Sequence, residues 1–165
     1  MSAQPVDLDH LPSRSRDVAL ALRSAGHDRD VVVLPDSART AAEAAQALGC
    51  AVGAIANSLV FWCDGAPLLV MTSGAHRVDT AALASRLGRG ALGRATPEQV
   101  RAATGQAIGG VAPVGHPAPL ETVVDAALAD YAEIWAAGGT PHTVFPMTFD
   151  ELVRLTGGRV EVVDA

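Results

Sequence analysis

Two apolar runs separated by Asp64-Gly65 constrain this chain more than any other feature. Ser58 to Cys63 (SLVFWC) and Pro67 to Ser73 (PLLVMTS) are short and apolar. An Asp-Gly pair between such runs suits the positive φ angles of a type I′ turn, so the spacing predicts a β-hairpin. A lone hairpin is marginal in water and has to be covered by further layers. The rest of the chain supplies strand and helix signals without strict alternation. That mixture points to an α/β (mixed α+β) class, with a curved mixed β-sheet or partial barrel surrounded by helices.

The helix signals are local and explicit. Val18, Leu20, Ala21 and Leu22 suggest a helix from Ser13 to near Gly26. Thr40-Ala-Ala-Glu43, Thr96-Pro-Glu-Gln99 and Thr148-Phe-Asp-Glu151 each have the spacing of a capping box. Asp79 can cap a helix running to Leu87, and Gly49, Gly88, Gly105 and Gly157 stand where helices stop. Strands are expected at Val31–Leu34, Val123-Val124, Thr143–Met147 and Val160–Val163, whereas Tyr131–Ala137 reads equally as helix or strand. Residues 1–12 carry Pro5 and Pro12 and are expected to be a mobile N-terminal segment, with one domain over 13–165.

Composition narrows the function. The chain has 165 residues, 49% of them hydrophobic and 18% charged, which excludes intrinsic disorder. No apolar run approaches the ~20 residues of a membrane helix. The first twelve residues lack the features of a secretion signal, and two cysteines are too few for a disulfide framework. A cytoplasmic protein without membrane contact is expected. Net charge is −6, and all twelve basic residues are arginine, so chemistry needing a lysine ammonium is excluded. An acidic domain is a poor autonomous binder of duplex nucleic acid, although an end-on contact remains open.

Four stretches can carry chemistry. Gly109–Pro119 (GGVAPVGHPAP) holds three glycines and three prolines, and a rigid loop of that kind can aim backbone N–H groups at a carbonyl oxygen or a water. It also reads as a plain surface turn. Asn57-Ser58 precede the hairpin strand and either project into a cleft or serve as a strand-start hydrogen bond. Ser73-Gly74-Ala75-His76-Arg77 join a strand to a helix; Arg77 there can bind phosphate or pair with a carboxylate. Gly138-Gly139-Thr140-Pro141-His142 must turn, and His142 is either an acid–base group or simply exposed. The five histidines are scattered, with no Cys-x-x-Cys, so neither metal nor cofactor is expected.

In order, these pieces resemble the YbaK/ProX family of aminoacyl-tRNA deacylases, relatives of the editing domain inserted in bacterial prolyl-tRNA synthetases. Asn57-Ser-Leu-Val-Phe61 looks like the family's Lys-(Ser/Thr)-Leu-(Val/Leu)-Phe strand. Val70–Asp79 (VMTSGAHRVD) resembles its V-x-x-S-G-x-x-R-V-D segment, Gly109–Gly115 its G-x-x-x-P loop, and Trp135–Gly157 its closing turn, strand and helix. The likeness covers roughly residues 30–163. It implies hydrolysis of the ester joining a wrong amino acid to the 3′ end of a tRNA, in trans, with an aminoacyl-tRNA synthetase as a candidate partner.

Carried over, the catalytic positions are Asn57 and the loop Gly109, Gly110, Val111, Ala112 and Pro113. Substrate-binding positions are Ser58, Ser73, Gly74, His76, Arg77, Gly115, Gly138, Gly139 and His142. In the family the terminal ribose hydroxyl helps activate water. One departure stands out: the family's lysine falls on Asn57, and an amide donates only a neutral hydrogen bond, about half as strong. Three readings follow. Asn57 still donates to the carbonyl; or an arginine such as Arg77 brings charge from another position; or the domain binds aminoacyl groups, or a synthetase, without catalysis. A cleft shared by Asn57 and the Gly109–Pro113 amides favours hydrolysis, and a collapsed loop favours binding alone. The surrounding alanine and valine imply a small substrate side chain.

Overall fold

A computed structural model describes residues 4–5, 11–38 and 40–164. The hairpin forms as expected. Strand β3 (Ile55–Cys63) pairs antiparallel with β4 (Ala66–Ser73), with Leu59 opposite Val70. Asp64 (φ 52°) and Gly65 (φ 79°) make the turn, the left-handed pair a type I′ hairpin requires.

Among the described residues one nine-stranded mixed sheet grows around it. The other strands are β1 (Gln4–Pro5), β2 (Val32–Val33), β5 (Gly93–Arg94), β6 (Glu121–Asp125), β7 (Ile134–Ala137), β8 (Thr143–Met147) and β9 (Arg159–Glu161). Their order is β1-β2-β8-β7-β3-β4-β6-β9, with β5 also on β3. The ambiguous stretch resolves as a 3-10 turn, Ala126–Asp130, followed by β7, whose alternate residues Ile134 and Ala136 are buried. Of the segment expected to be mobile, residues 1–3 and 6–10 lie outside the described residues; Gln4–Pro5 pair with Val32–Val33, and Leu11 is buried.

Among the described residues five helices cover the sheet: α1 (Ser13–Ser24), α2 (Ala41–Leu48), α3 (Thr80–Leu87), α4 (Pro97–Thr104) and α5 (Phe149–Thr156). Thr96 and Thr148 form complete capping boxes with Gln99 and Glu151. At α2 only half the box forms: Thr40 accepts from the Glu43 N–H, but the Glu43 carboxylate takes the Thr40 hydroxyl. Removing the α5 cap by Thr148→Ala is expected to cost about 1 kcal/mol of stability in chemical denaturation. An unchanged midpoint would show that Glu151 alone holds that helix end.

The core lies on both faces of the sheet. One face gathers Val60, Leu69, Met71, Phe145 and Leu152 with Val18 and Leu22 of α1. The other gathers Phe61, Leu68 and Val70 with Leu83 of α3. Each large side chain buried this way contributes about 1.5–3 kcal/mol. Among the described residues, no helix is long and apolar enough to cross a membrane.

Candidate active site

Strand β3 is paired along its whole length by β4, but its other edge is split. At its start Ile55 and Ala56 pair with Trp135 and Ala136 of β7; at its end Phe61 and Trp62 pair with Arg94 and Gly93 of β5. The two partners diverge. The Ile55 C=O accepts from Gly74 on the β4 side, whereas the Val60 C=O accepts from Ala95 on the split side. Strand alternation therefore turns the main-chain groups of Ser58 into the gap between β7 and β5.

A cavity of about 210 Å³ opens at this split. Asn57, Ser58, Gly109 and Val111 line it together with Thr40, Ala41 and Ala44 of the α2 region, Trp135 and Ala137 of β7, and Thr143. The loop is not collapsed onto Asn57. Side chains alternate along β3, so Asn57 shares a face with Leu59 and Phe61, and Ser58 takes the opposite face, where its Oγ donates to Met71 Sδ at 3.2 Å. Asn57 is half-buried, and its side chain has no hydrogen-bond partner among the described residues.

The Gly/Pro loop is built by its own contacts. Gly109 has φ 94°, a left-handed conformation that favours glycine. A Cβ on Gly110 would lie 2.6 Å from the Thr140 backbone, so only a glycine fits there. Thr140 in turn belongs to a hydroxyl chain: its Oγ1 is 2.9 Å from Thr143 Oγ1, which is 2.8 Å from Ser15 Oγ. Two loop donors are engaged internally. Gly110 N–H donates to Ala107 O at 3.1 Å, and Ala112 N–H donates to Gln106 Oε1 at 2.6 Å. Gln106 is fully buried and its Nε2 also donates to Val114 O. His116 Nε2 donates to Ala112 O at 2.8 Å, and burial pushes this imidazole below its ordinary pKa against the opposing effect of that bond. Pro113 has no N–H. Gly109 and Val111 are left as loop amides without a partner among the described residues, and both line the cavity.

The other expected positions lie apart from the cavity. Ser73 is buried, donates its hydroxyl to Gly53 O and its N–H to Asp125. Gly74 N–H donates to Ile55 O. His76 Nδ1 sits 3.2 Å from Asp125 Oδ2, and Arg77 is exposed. Gly115 packs against Val18 and Gly139 against the Arg14 backbone; the Gly138 N–H donates to Thr143 O. His142 is exposed and uses its backbone, accepting from Leu34 N–H. Sequence reasoning missed Thr40, Arg94, Ile108, Trp135 and Thr143 as lining residues, and Gln106 as the brace of the loop. Thr40, Trp135 and Thr143 stand in stretches the sequence marked for other reasons, a helix cap and the closing segment, and only tertiary folding brings them to the cavity with Arg94 and Ile108. Among the described residues no group of three or more His, Cys, Asp or Glu side chains can hold a metal.

Residues 35–155 match the model of the aminoacyl-tRNA editing domain. A solved structure described as a candidate trans-editing enzyme for prolyl-tRNA synthetase superposes with a TM-score of 0.88 at 46% identity, covering 94% of this chain and 99% of the other. YwhH of Bacillus subtilis (strain 168), an uncharacterised protein, is 28% identical over 134 residues, 81% of this chain and 85% of its own. A proline–tRNA ligase of Nitratidesulfovibrio vulgaris (strain DP4) is 36% identical over 78 residues, which span 47% of this chain and 14% of the ligase. The matched stretch includes the hairpin and the loop on either side of the cavity, and the chain belongs to the aminoacyl-tRNA editing domain family.

Proposed function

We propose that this chain is an aminoacyl-tRNA deacylase that removes a small, wrongly attached amino acid from the 3′ end of a tRNA. The observation that carries the reading is the pair of unpartnered amides, Gly109 and Val111, lining one cavity with Asn57. In this mechanism water attacks the ester carbonyl carbon, and the negative charge formed on the carbonyl oxygen is met by the two N–H groups and the Asn57 amide. Donors held in place before the reaction stabilise such charge without reorganising. The carbon–oxygen bond to the ribose then breaks, and the ribose oxygen leaves with a proton. Among the described residues no Asp, Glu or His lines the cavity. Proton transfer therefore falls to the substrate's neighbouring ribose hydroxyl or to solvent.

The lining also supports a small side chain. Ala38, Ala41, Ala44 and Ala137 surround about 210 Å³ that must hold the ester, the α-amino group and the side chain together. Likeness to proline–tRNA ligase supports tRNA for proline as the carrier and its synthetase as a partner. A methylene in such a pocket is worth about 1–3 kcal/mol of discrimination. A panel of tRNAs carrying amino acids from alanine-sized to aromatic tests this: hydrolysis should fall steeply with side-chain size, and fastest hydrolysis of aromatic esters would refute it.

The replacement of an ammonium by Asn57 favours a second reading, a module that binds the aminoacyl end without cleaving it. That reading predicts tight binding of an aminoacylated end whose ester lifetime matches that in buffer.

A further inference from the structure

Among the described residues the cavity lining is neutral except at one point. No Asp or Glu lines it among the described residues, although the chain carries eighteen, and its one charged lining residue among them is Arg94. Arg39, between the lining residues Ala38 and Thr40, lies outside the described residues. Arg94 sits on β5 directly opposite Phe61. Opposed residues of an antiparallel pair share a face, so Arg94 rises on the face of Asn57, at the far bank of the split. Its backbone is pinned by β3 pairing and by the Ala95 N–H bond to Val60 O at 3.2 Å. The side chain is exposed and has no ion pair or hydrogen bond among the described residues. By contrast Arg23, Arg29, Arg89 and Arg159 each pair with a carboxylate. Beside it Ile108 is 57% exposed and lines the same cavity.

We propose that Arg94 is the anion-binding residue of the cleft and holds a backbone phosphate of the nucleic-acid strand whose 3′ end enters the cavity. The inference rests on the deacylase reading for the identity of that strand. A guanidinium offers a planar fork of donors that matches phosphate oxygens. On a protein of net charge −6, an unpaired cation at a neutral cleft also supplies the local attraction that the rest of the surface denies. A phosphate contact acts on binding rather than on the chemical step.

The test measures binding of uncharged tRNA by fluorescence anisotropy across a salt series, beside deacylation kinetics, for the parent, Arg94→Gln and Arg94→Lys. Arg94→Gln is expected to weaken binding about tenfold at low salt, the equivalent of one charge-assisted hydrogen bond. The slope of log affinity against log salt should shrink by about 0.7, one single-strand phosphate contact. KM should rise with kcat nearly unchanged, and Arg94→Lys should recover the salt slope. Unchanged binding and slope in Arg94→Gln, no binding of tRNA by the parent, or a loss confined to kcat would each overturn the assignment. Because binding is read on uncharged tRNA, Arg94-dependent affinity without hydrolysis would overturn the deacylase reading and leave this one standing.

Discussion

Gly110→Ala is expected to lower kcat for deacylation about 10²–10³-fold, the loss seen when one preorganised oxyanion donor is removed. The added Cβ would lie 2.6 Å from both Cα and C of Thr140 and 2.9 Å from its N. Those are backbone atoms, so no rotamer change relieves the clash. Thr140 cannot retreat easily, because its hydroxyl is tied to Thr143 and receives the His142 N–H. The loop must move instead, and with it the neighbouring amides of Gly109 and Val111. Circular dichroism and tRNA binding should stay near the parent values. Parallel loss of folded protein would mean that the loop supports the fold rather than the chemistry. Gly109→Ala gives an independent check, since it strains a backbone held at φ 94°.

Asn57→Ala carries the second large effect, an expected drop in kcat of about 100-fold with KM little changed. Asn57 is half-buried at the start of the split strand edge, and its amide has no partner among the described residues. An Asn amide aimed at a developing oxyanion gains strength only as charge builds there, which is why the loss should fall on kcat. Asn57→Lys should match or exceed the parent rate, because a charge-assisted hydrogen bond is roughly twice as strong as a neutral one. Activity in Asn57→Lys alone would mark the parent as a binding module. Equal rates in the parent and Asn57→Ala would remove Asn57 from the chemistry.

Much of this fold was legible because its signals are local. The Asp64-Gly65 turn fixes β3 against β4, and the threonine caps at Thr96 and Thr148 fix where α4 and α5 begin. The two-residue strand β5 gave no signal, since Gly93-Arg94 has neither β-branching nor alternation. Its partner on the same edge, β7, lay in the stretch that read as helix or strand. The split edge of β3 depends on where those two strands land, so the cavity itself could not be read in advance. The same holds for the charge. Sequence pattern directed attention to Arg77, which is exposed and outside the cavity lining, whereas Arg94 lines it. In the loop, composition pointed to Gly109–Pro113, of which Gly109 and Val111 line the cavity. Which amides stay unengaged depends on Gln106, a buried side chain with no motif around it.

The most direct measurement follows the ester bond itself, with tRNA for proline carrying a small non-cognate amino acid, in single-turnover excess of protein. Release of free amino acid and intact tRNA is expected well above the rate in buffer, with loss of that rate in Gly110→Ala. An ester lifetime equal to that in buffer, with the tRNA demonstrably bound, would contradict it.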